Sequence, residues 1–235
     1  MQIPIVRFNR DATAFSKTLK ARVDAYFEET GRSRKGDWRL HIKTGIMLAL
    51  FFVPWALFSF GFTGGGGGFW ISEIVMGFGL SGIGLNVMHD ANHGSYSSSK
   101  RVNDFVGRVL DLVGGSAALW RIQHNVLHHS FTNITGLDED IDTPAFLRFT
   151  PDRPIMKVHK LQFIYAWFFY CIMTLFWMTA KDWMALRRYH KKGLIKSSGT
   201  TLGKLVRDLL ISKTLYYGYI LVIPAIFSGL PFWQV

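Results

Sequence analysis

The chain has 235 residues, of which 49% are hydrophobic and 15% aromatic, with a mean hydropathy of +0.17 and a net charge of +11. This is more apolar than an ordinary soluble domain. All 27 lysines and arginines fall in residues 7–43, 100–160 and 181–213, leaving whole apolar blocks uncharged, which argues against a nucleic-acid-binding groove and for a membrane protein.

Two apolar segments predict a transmembrane hairpin over residues 44–88. Residues 44–62 contain no charged side chain, and their length is close to the ~20 residues that cross the hydrocarbon core. Pro54 is compatible with this span because neighbouring helices can satisfy the carbonyl that it leaves free. The five glycines 64–68 predict a tight turn, and residues 69–88 form the second span. The alternative, two buried helices of a large soluble core, is disfavoured.

The basic residues predict the orientation of this hairpin. Ten precede the first span, none lies in the glycine turn and many follow the second span. The positive-inside rule therefore places the basic N-terminal segment 1–43 and the region 89–160 on the cytoplasmic side. We expect the membrane to be a bacterial inner membrane.

Residues 161–180 are long enough to cross, but basic residues flank them on both sides. Crossing would place the basic segment 181–213 outside. Four aromatic residues of types that favour the headgroup level lie within it: Tyr165, Trp167, Tyr170 and Trp177. We therefore favour an interfacial or re-entrant helix over a span, with 181–213 cytosolic on anionic lipid. Residues 214–235 predict a further span that meets the last residue without a polar anchor, so we expect an N-terminal fragment.

Five of the eight histidines form two groups near the cytoplasmic end of the hairpin: His89 and His93, then His124, His128 and His129. Residues four apart share a helix face, so each pair can reach one metal ion. The last histidine lies about 100° further round and can reach a second ion or complete the first shell. Imidazole suits zinc, copper, iron and nickel alike. Neither group carries the glutamate of an HExxH zinc site, and the lone Cys171 excludes a thiolate cluster.

Several polar residues are candidates to orient these imidazoles through their second ring nitrogen. Asp90 and Asn125 each follow the first histidine of a group. Asp138 and Asp140 belong to an acid run that reads equally well as a solvated loop. No catalytic residue beyond the metal ligands is predicted.

The sequences HDANH (89–93) and WRIQHNVLHH (120–129) resemble the first two histidine boxes of the membrane fatty acid desaturase family. SFTNITGLDEDIDT (130–143) resembles the stretch after the second box in its bacterial branch related to acyl-CoA and front-end, linoleoyl-CoA-type, desaturases. The resemblance implies an all-α integral membrane fold: a transmembrane hairpin plus a further span, with a cytosolic helical cap carrying the boxes. It also implies two iron ions, ligated by the five histidines, that use O2 and two electrons to desaturate an acyl chain.

One departure from the family pattern is the third box, of an HxxHH or QxxHH kind, which these 235 residues lack. His41, His159 and His190 stand alone beside basic residues and read as interfacial or solvated. Five ligands cannot fill two iron shells. The chain alone is therefore expected to be inactive, with the third box beyond residue 235.

The resemblance implies an acyl-CoA or acyl-lipid substrate and contact with membrane lipid. No haem domain precedes the first span, so we expect a separate electron donor, ferredoxin-like or cytochrome b5-like. Trp120 and the apolar residues of 105–120 are candidates to line an acyl tunnel, although that stretch reads equally as an interfacial amphipathic helix. The alternatives are a related di-iron hydroxylase of alkanes, sphingolipids, sterols or carotenoids and, more remotely, a non-enzymatic membrane metal-binding protein.

Overall fold

The computed structural model describes Val6 and residues 13–235, and within them the chain is helical, without strands. The helices are α1 (Thr13–Thr30), α2 (Trp38–Ser59), α3 (Gly67–Asn92), α4 (Lys100–Gly107), α5 (Val109–Leu112), α6 (117–131), α7 (Lys157–Lys191), α8 (Leu194–Ser197) and α9 (Leu202–Phe227). A short 3-10 turn, Phe232–Gln234, follows. The predicted all-α fold class is confirmed.

Four of these helices, α2, α3, α7 and α9, are long and apolar enough to cross a membrane by length and composition. The sequence predicts a hairpin plus one further span, so α7 is the additional candidate. Its surroundings set it apart, because only 6% of its most apolar window is buried, against 22–39% for the others. Length and apolarity alone therefore do not decide whether α7 crosses the membrane.

Helices α2 and α3 form the hairpin, and α2 is continuous through Pro54. Their axes approach closely at Gly79, where an added Cβ would lie 2.6 Å from the main-chain nitrogen of Phe51. Phe51 and Met76 are buried in the seam. The sequence predicts that the turn includes all five glycines 64–68, but α3 already begins at Gly67, so the turn is shorter.

Helix α9 packs beside α2 and runs in the same direction. The indole Nε1 of Trp55 donates to the carbonyl oxygen of Tyr219 over 3.2 Å. Further along both chains, a Cβ on Gly61 would meet the carbonyl oxygen of Ser228 at 3.1 Å, and Gln234 Nε2 donates to Gly65 O over 3.2 Å. The C-terminal end of α9 therefore lies at the glycine turn, away from the histidines.

A buried cation joins α7, α9 and the turn before α6. Lys213 Nζ donates to the carbonyl oxygens of Gly114 (2.5 Å) and Met178 (2.7 Å), and it pairs with Asp182 Oδ2 at 2.9 Å. The two charged side chains are 6% and 4% exposed. Met178 lies in a π-helical turn, Trp177–Lys181, where regular i→i+4 bonding is interrupted. Lys213 supplies a donor at that interruption.

Helix α6 lies between two apolar cores. Trp120 belongs to the first, built mainly on α2 and α3 and including Met88 at the end of α3. On the other side, Ile122 and Leu127 are buried in a second core with Leu186 of α7. Both cores thus fix the helix that carries the second group of histidines.

Candidate metal centre

The imidazoles of the two predicted groups converge where α3 ends and α6 passes beside it. Neighbouring ring centroids lie 4.5 Å (His89–His93) to 5.3 Å (His89–His124) apart. One ligand nitrogen from each of His89, His93 and His124 lies within 4.8 Å of the others. Nitrogens bound at about 2.1 Å to one ion are at most about 4.2 Å apart. Shifts of less than an ångström would therefore bring these three onto a metal ion.

His129 joins the cluster because α6 is not a plain α-helix at this point. With 3.6 residues per turn it would point roughly 140° away from His124. Residues Ile122–His128 instead form a π-helix, whose i→i+5 bonds bring residues five apart nearly into line. The His129 ring centroid lies 4.8 Å from both His124 and His93. All five histidines therefore form one cluster.

Two carboxylates lie behind the second group and engage the Nδ1 atoms. His128 Nδ1 is 3.0 and 3.1 Å from the oxygens of Asp138, and His124 Nδ1 is 3.1 Å from Asp140 Oδ2. A carboxylate accepts a hydrogen bond from Nδ1–H, which keeps the proton on that nitrogen and leaves the Nε2 lone pair free for a metal ion.

The more buried of these carboxylates is held by the main chain. Asp138 has no exposed side-chain surface and accepts hydrogen bonds from the N–H groups of Asn133 (2.8 Å) and Asp140 (3.0 Å). Burial alone would raise the pKa of Asp138, but these N–H donors and His128 hold that pKa below its ordinary value. The carboxylate is therefore ionised and fixed in place.

The environment favours neutral imidazoles, the form that binds a metal ion. Burial, followed by the neighbouring rings of His89, His124 and His129, lowers the pKa of His93 to about 4. Burial also lowers the pKa of His124, against the opposing effect of Asp140.

The other two orienting candidates lie differently. Asp90 Oδ1 is 3.5 Å from His89 Nδ1, at the limit of a hydrogen bond. Asn125 Nδ2 donates over 2.9 Å to the carbonyl oxygen of Asn92, which ties α6 to the end of α3. Asn125 therefore links the two helices that carry the histidines.

Trp120 covers one side of the cluster. Its ring stacks on His124 with centroids 4.4 Å and planes 26° apart, and the residue is 9% exposed. Of the stretch 105–120, Phe105 is exposed and Leu110 is buried in the core. A polar cleft of about 350 Å³ lies beside His93, with Arg121 among its lining residues. Trp120 therefore separates the imidazoles from the apolar core.

The three remaining histidines lie outside the cluster. His41 Nδ1 is 3.0 Å from the hydroxyl of Tyr96, and His159 Nε2 is 2.9 Å from the carbonyl oxygen of Ala145. His190 is exposed. Within the described part of the chain, the groups that could hold a metal ion draw only on the two predicted histidine groups and Asp140.

The sequence did not identify two further contacts around the site. Gln123 Nε2 donates to Asp140 Oδ1 over 2.6 Å, and its position directly before the first histidine of the second group was the one available hint. Glu139 is bound by Arg188 and Tyr189 of α7. No spacing rule connects residues about fifty positions apart, so sequence reasoning missed this contact.

Comparison with known proteins gives consistent relatives. A sequence model of the family described as fatty acid desaturase matches residues 67–235. An sn-1 linoleoyl-lipid 6-desaturase of Arthrospira platensis is 36% identical over 75% of this chain and 48% of its own length. Its counterpart from Synechocystis sp. is 32% identical over 89% and 58%. An acyl-lipid (8-3)-desaturase of Physcomitrium patens is 29% identical over 91% and 44%. The chain spans about half the length of these curated relatives. No solved structure matches it.

Proposed function

The chain belongs to the fatty acid desaturase family, and we propose that its histidine cluster holds two iron ions for O2-dependent formation of a double bond in a fatty acyl chain. The observation that carries the proposal is the convergence of five imidazoles from α6, the end of α3 and the residue directly after α3. Nitrogen donors without thiolate suit iron. When bound, iron would supply the O2 chemistry needed to remove hydrogen from an unactivated methylene, which acid–base catalysis cannot do.

The chain's own residues prepare this site in three ways. Asp138 and Asp140 hold the protons of His128 and His124 on Nδ1, so that Nε2 is left free to bind a metal ion. Trp120 stacks on the rings from the side of the apolar core. Two iron ions need more donors than five imidazoles, so we propose that further ligands complete the centre and that catalysis requires them.

We propose a membrane acyl-lipid as substrate in preference to acyl-CoA. The relatives whose names are given above are acyl-lipid or linoleoyl-lipid desaturases. Together with the four apolar helices, family membership identifies the chain as an integral membrane protein. Electrons would come from a separate ferredoxin-like or cytochrome b5-like donor.

We also propose that α7 lies along the cytoplasmic interface. Residues toward both of its ends contact the loop 132–156: Tyr165 OH donates to Phe146 O over 2.5 Å, and Arg188 binds Glu139. That loop carries charged residues, including Arg148, whose guanidinium bonds to loop carbonyls. If α7 crossed the bilayer, the loop would run through hydrocarbon beside it, at about 2.5–3.5 kcal/mol for each buried charge. The interfacial arrangement avoids this.

Chemical labelling tests this topology. In a Cys171→Ser background, single cysteines at the two ends of α7 (Lys157→Cys and Lys191→Cys) should resist a membrane-impermeant maleimide in intact bacterial cells. Gly66→Cys, in the hairpin turn, should react and serves as the positive control. Labelling of one α7 end from outside would show that the helix crosses.

Metal binding and product analysis test the function. The purified chain should bind iron, and His128→Ala should lose that binding, whereas the exposed His190→Ala should not. A gene that encodes this chain together with the remaining ligands should give an O2-dependent new double bond in cellular lipid, detected by gas chromatography with mass spectrometry. A hydroxylated product would favour the hydroxylase alternative. Absence of any metal binding by the chain would contradict the proposal.

A further inference from the structure

Three consecutive acids, Asp138, Glu139 and Asp140, divide their contacts between two sides of one turn. The outer two face the histidines: Asp138 bonds to His128 and Asp140 to His124. The turn is closed by the N–H of Asp138 donating to a main-chain oxygen over 2.9 Å and by Asp140 N–H donating to Asp138 Oδ1 over 3.0 Å. The middle acid contacts a different partner.

Glu139 is bound by the C-terminal part of α7 and the residue after it. Arg188 donates to it through two nitrogens, at 2.7 and 2.6 Å, and the Tyr189 hydroxyl donates at 2.6 Å. Lys192 Nζ lies 3.4 Å away. The Glu139 side chain is 8% exposed. A paired, bidentate arginine–carboxylate contact fixes direction as well as distance.

The far side of this contact is anchored in the core beneath the histidines. Tyr189 is fully buried and packs in the same apolar core as Ile122 and Leu127, which belong to the π-helical part of α6. Helix α7 therefore contacts both the part of α6 that carries histidines and the acid turn that orients them.

We propose that Glu139, Arg188 and Tyr189 are positioning residues that set the metal affinity of the histidine cluster. They touch no imidazole themselves. They fix the acid turn against α7, and the turn in turn holds the Nδ1 protons of His124 and His128. Loosening this outer contact lets both carboxylates move together, which loosens both imidazoles.

This inference rests on the proposed metal site, and the test separates the two. The purified chain is titrated with Co²⁺ in detergent, and binding is followed by the visible absorption of the bound ion. Arg188→Gln and Glu139→Gln should each weaken Co²⁺ binding by about tenfold, toward the lower end of what loss of a contact behind a metal ligand causes. The matched control is Arg187→Gln, because Arg187 is exposed on the same helix. Its affinity should equal that of the unmodified chain.

Two further measurements distinguish positioning from general destabilisation. Tyr189→Phe removes one hydrogen bond and keeps the packing, so it should lower both the affinity and the melting temperature less than Arg188→Gln does. The absorption band of bound Co²⁺ should change shape in Glu139→Gln, since the ligand geometry changes. If the Arg188→Gln chain melts too low for titration, Tyr189→Phe decides.

Two results would each overturn one of the two proposals. An unmodified chain that does not bind Co²⁺ overturns the proposed metal site. An unmodified chain that binds, with Arg188→Gln and Tyr189→Phe binding as tightly and with the same spectrum, overturns the positioning role alone.

Discussion

Replacing Lys213 by methionine should destabilise the protein strongly, because its ammonium is the buried partner of Asp182. The change leaves the Asp182 carboxylate, which is 4% exposed, with the indole N–H of Trp177, 3.2 Å away, as its one remaining hydrogen-bond donor among the described residues. It also removes the donor to Gly114 O. Breaking a buried ion pair by removing one partner costs about 3–5 kcal/mol.

For a chain of this size, that loss corresponds to a melting temperature lower by about 6–20 °C, at about 2–4 °C per kcal/mol. Thermal unfolding in detergent, followed by circular dichroism, measures it. The control is Lys204→Met, because Lys204 is exposed on the same helix and its replacement should shift the melting temperature little.

A double variant tests the physical reason. Lys213→Met combined with Asp182→Leu removes both charges and should recover most of the stability, because no unpaired charge remains buried. A Lys213→Met chain that melts with the parent, or a double variant that melts as low as the single one, would refute the reasoning.

Three other outcomes are expected. Gly79→Val should disrupt the α2–α3 seam, since even a Cβ there would lie 2.6 Å from the Phe51 nitrogen; the melting temperature should fall, and an unchanged value would contradict the close packing. Asp138→Asn should weaken Co²⁺ binding by about 10- to 100-fold in an absorption titration, whereas equal affinity would exclude its role behind His128. Burial alone would raise the pKa of Glu139, yet hydrogen bonds from α7 keep that pKa below 4.5. Its stabilisation is therefore present above pH 4.5 and lost as the pH falls through the folded pKa, so Glu139→Gln should flatten the drop in melting temperature below pH 4.5.

What the sequence could predict here depends on short-range pattern. Hydropathy located the hairpin because a span must be about 20 residues of apolar side chains. Spacing located His89 and His93 because residues four apart share a helix face. Both rules involve neighbours along the chain, and the structure bears both helices out.

The remainder depends on tertiary contacts that no local pattern encodes. The partners of Glu139 lie on α7, some fifty residues away. The residues around His124 do not distinguish a π-helical turn from an α-helix. The sequence therefore could not decide whether His129 reaches the same metal ion as His124 or a second one. Similarly, apolarity made α7 a candidate span, whereas its basic flanks and aromatic residues favoured an interfacial helix. Its contacts with a charged loop, on which the proposed interfacial position also rests, could not be predicted from the sequence.

The π-helical turn in α6 has a consequence for how this segment tolerates changes in length. Removing one residue between His124 and His128 would let the helix return to 3.6 residues per turn. His124 and His129 would then be four residues apart, about 40° from each other round an α-helix, and every imidazole would still be present. The π-helical turn therefore accommodates one additional residue between these two histidines while both still face the cluster, and a one-residue deletion inside it is better tolerated than one in a regular part of a helix.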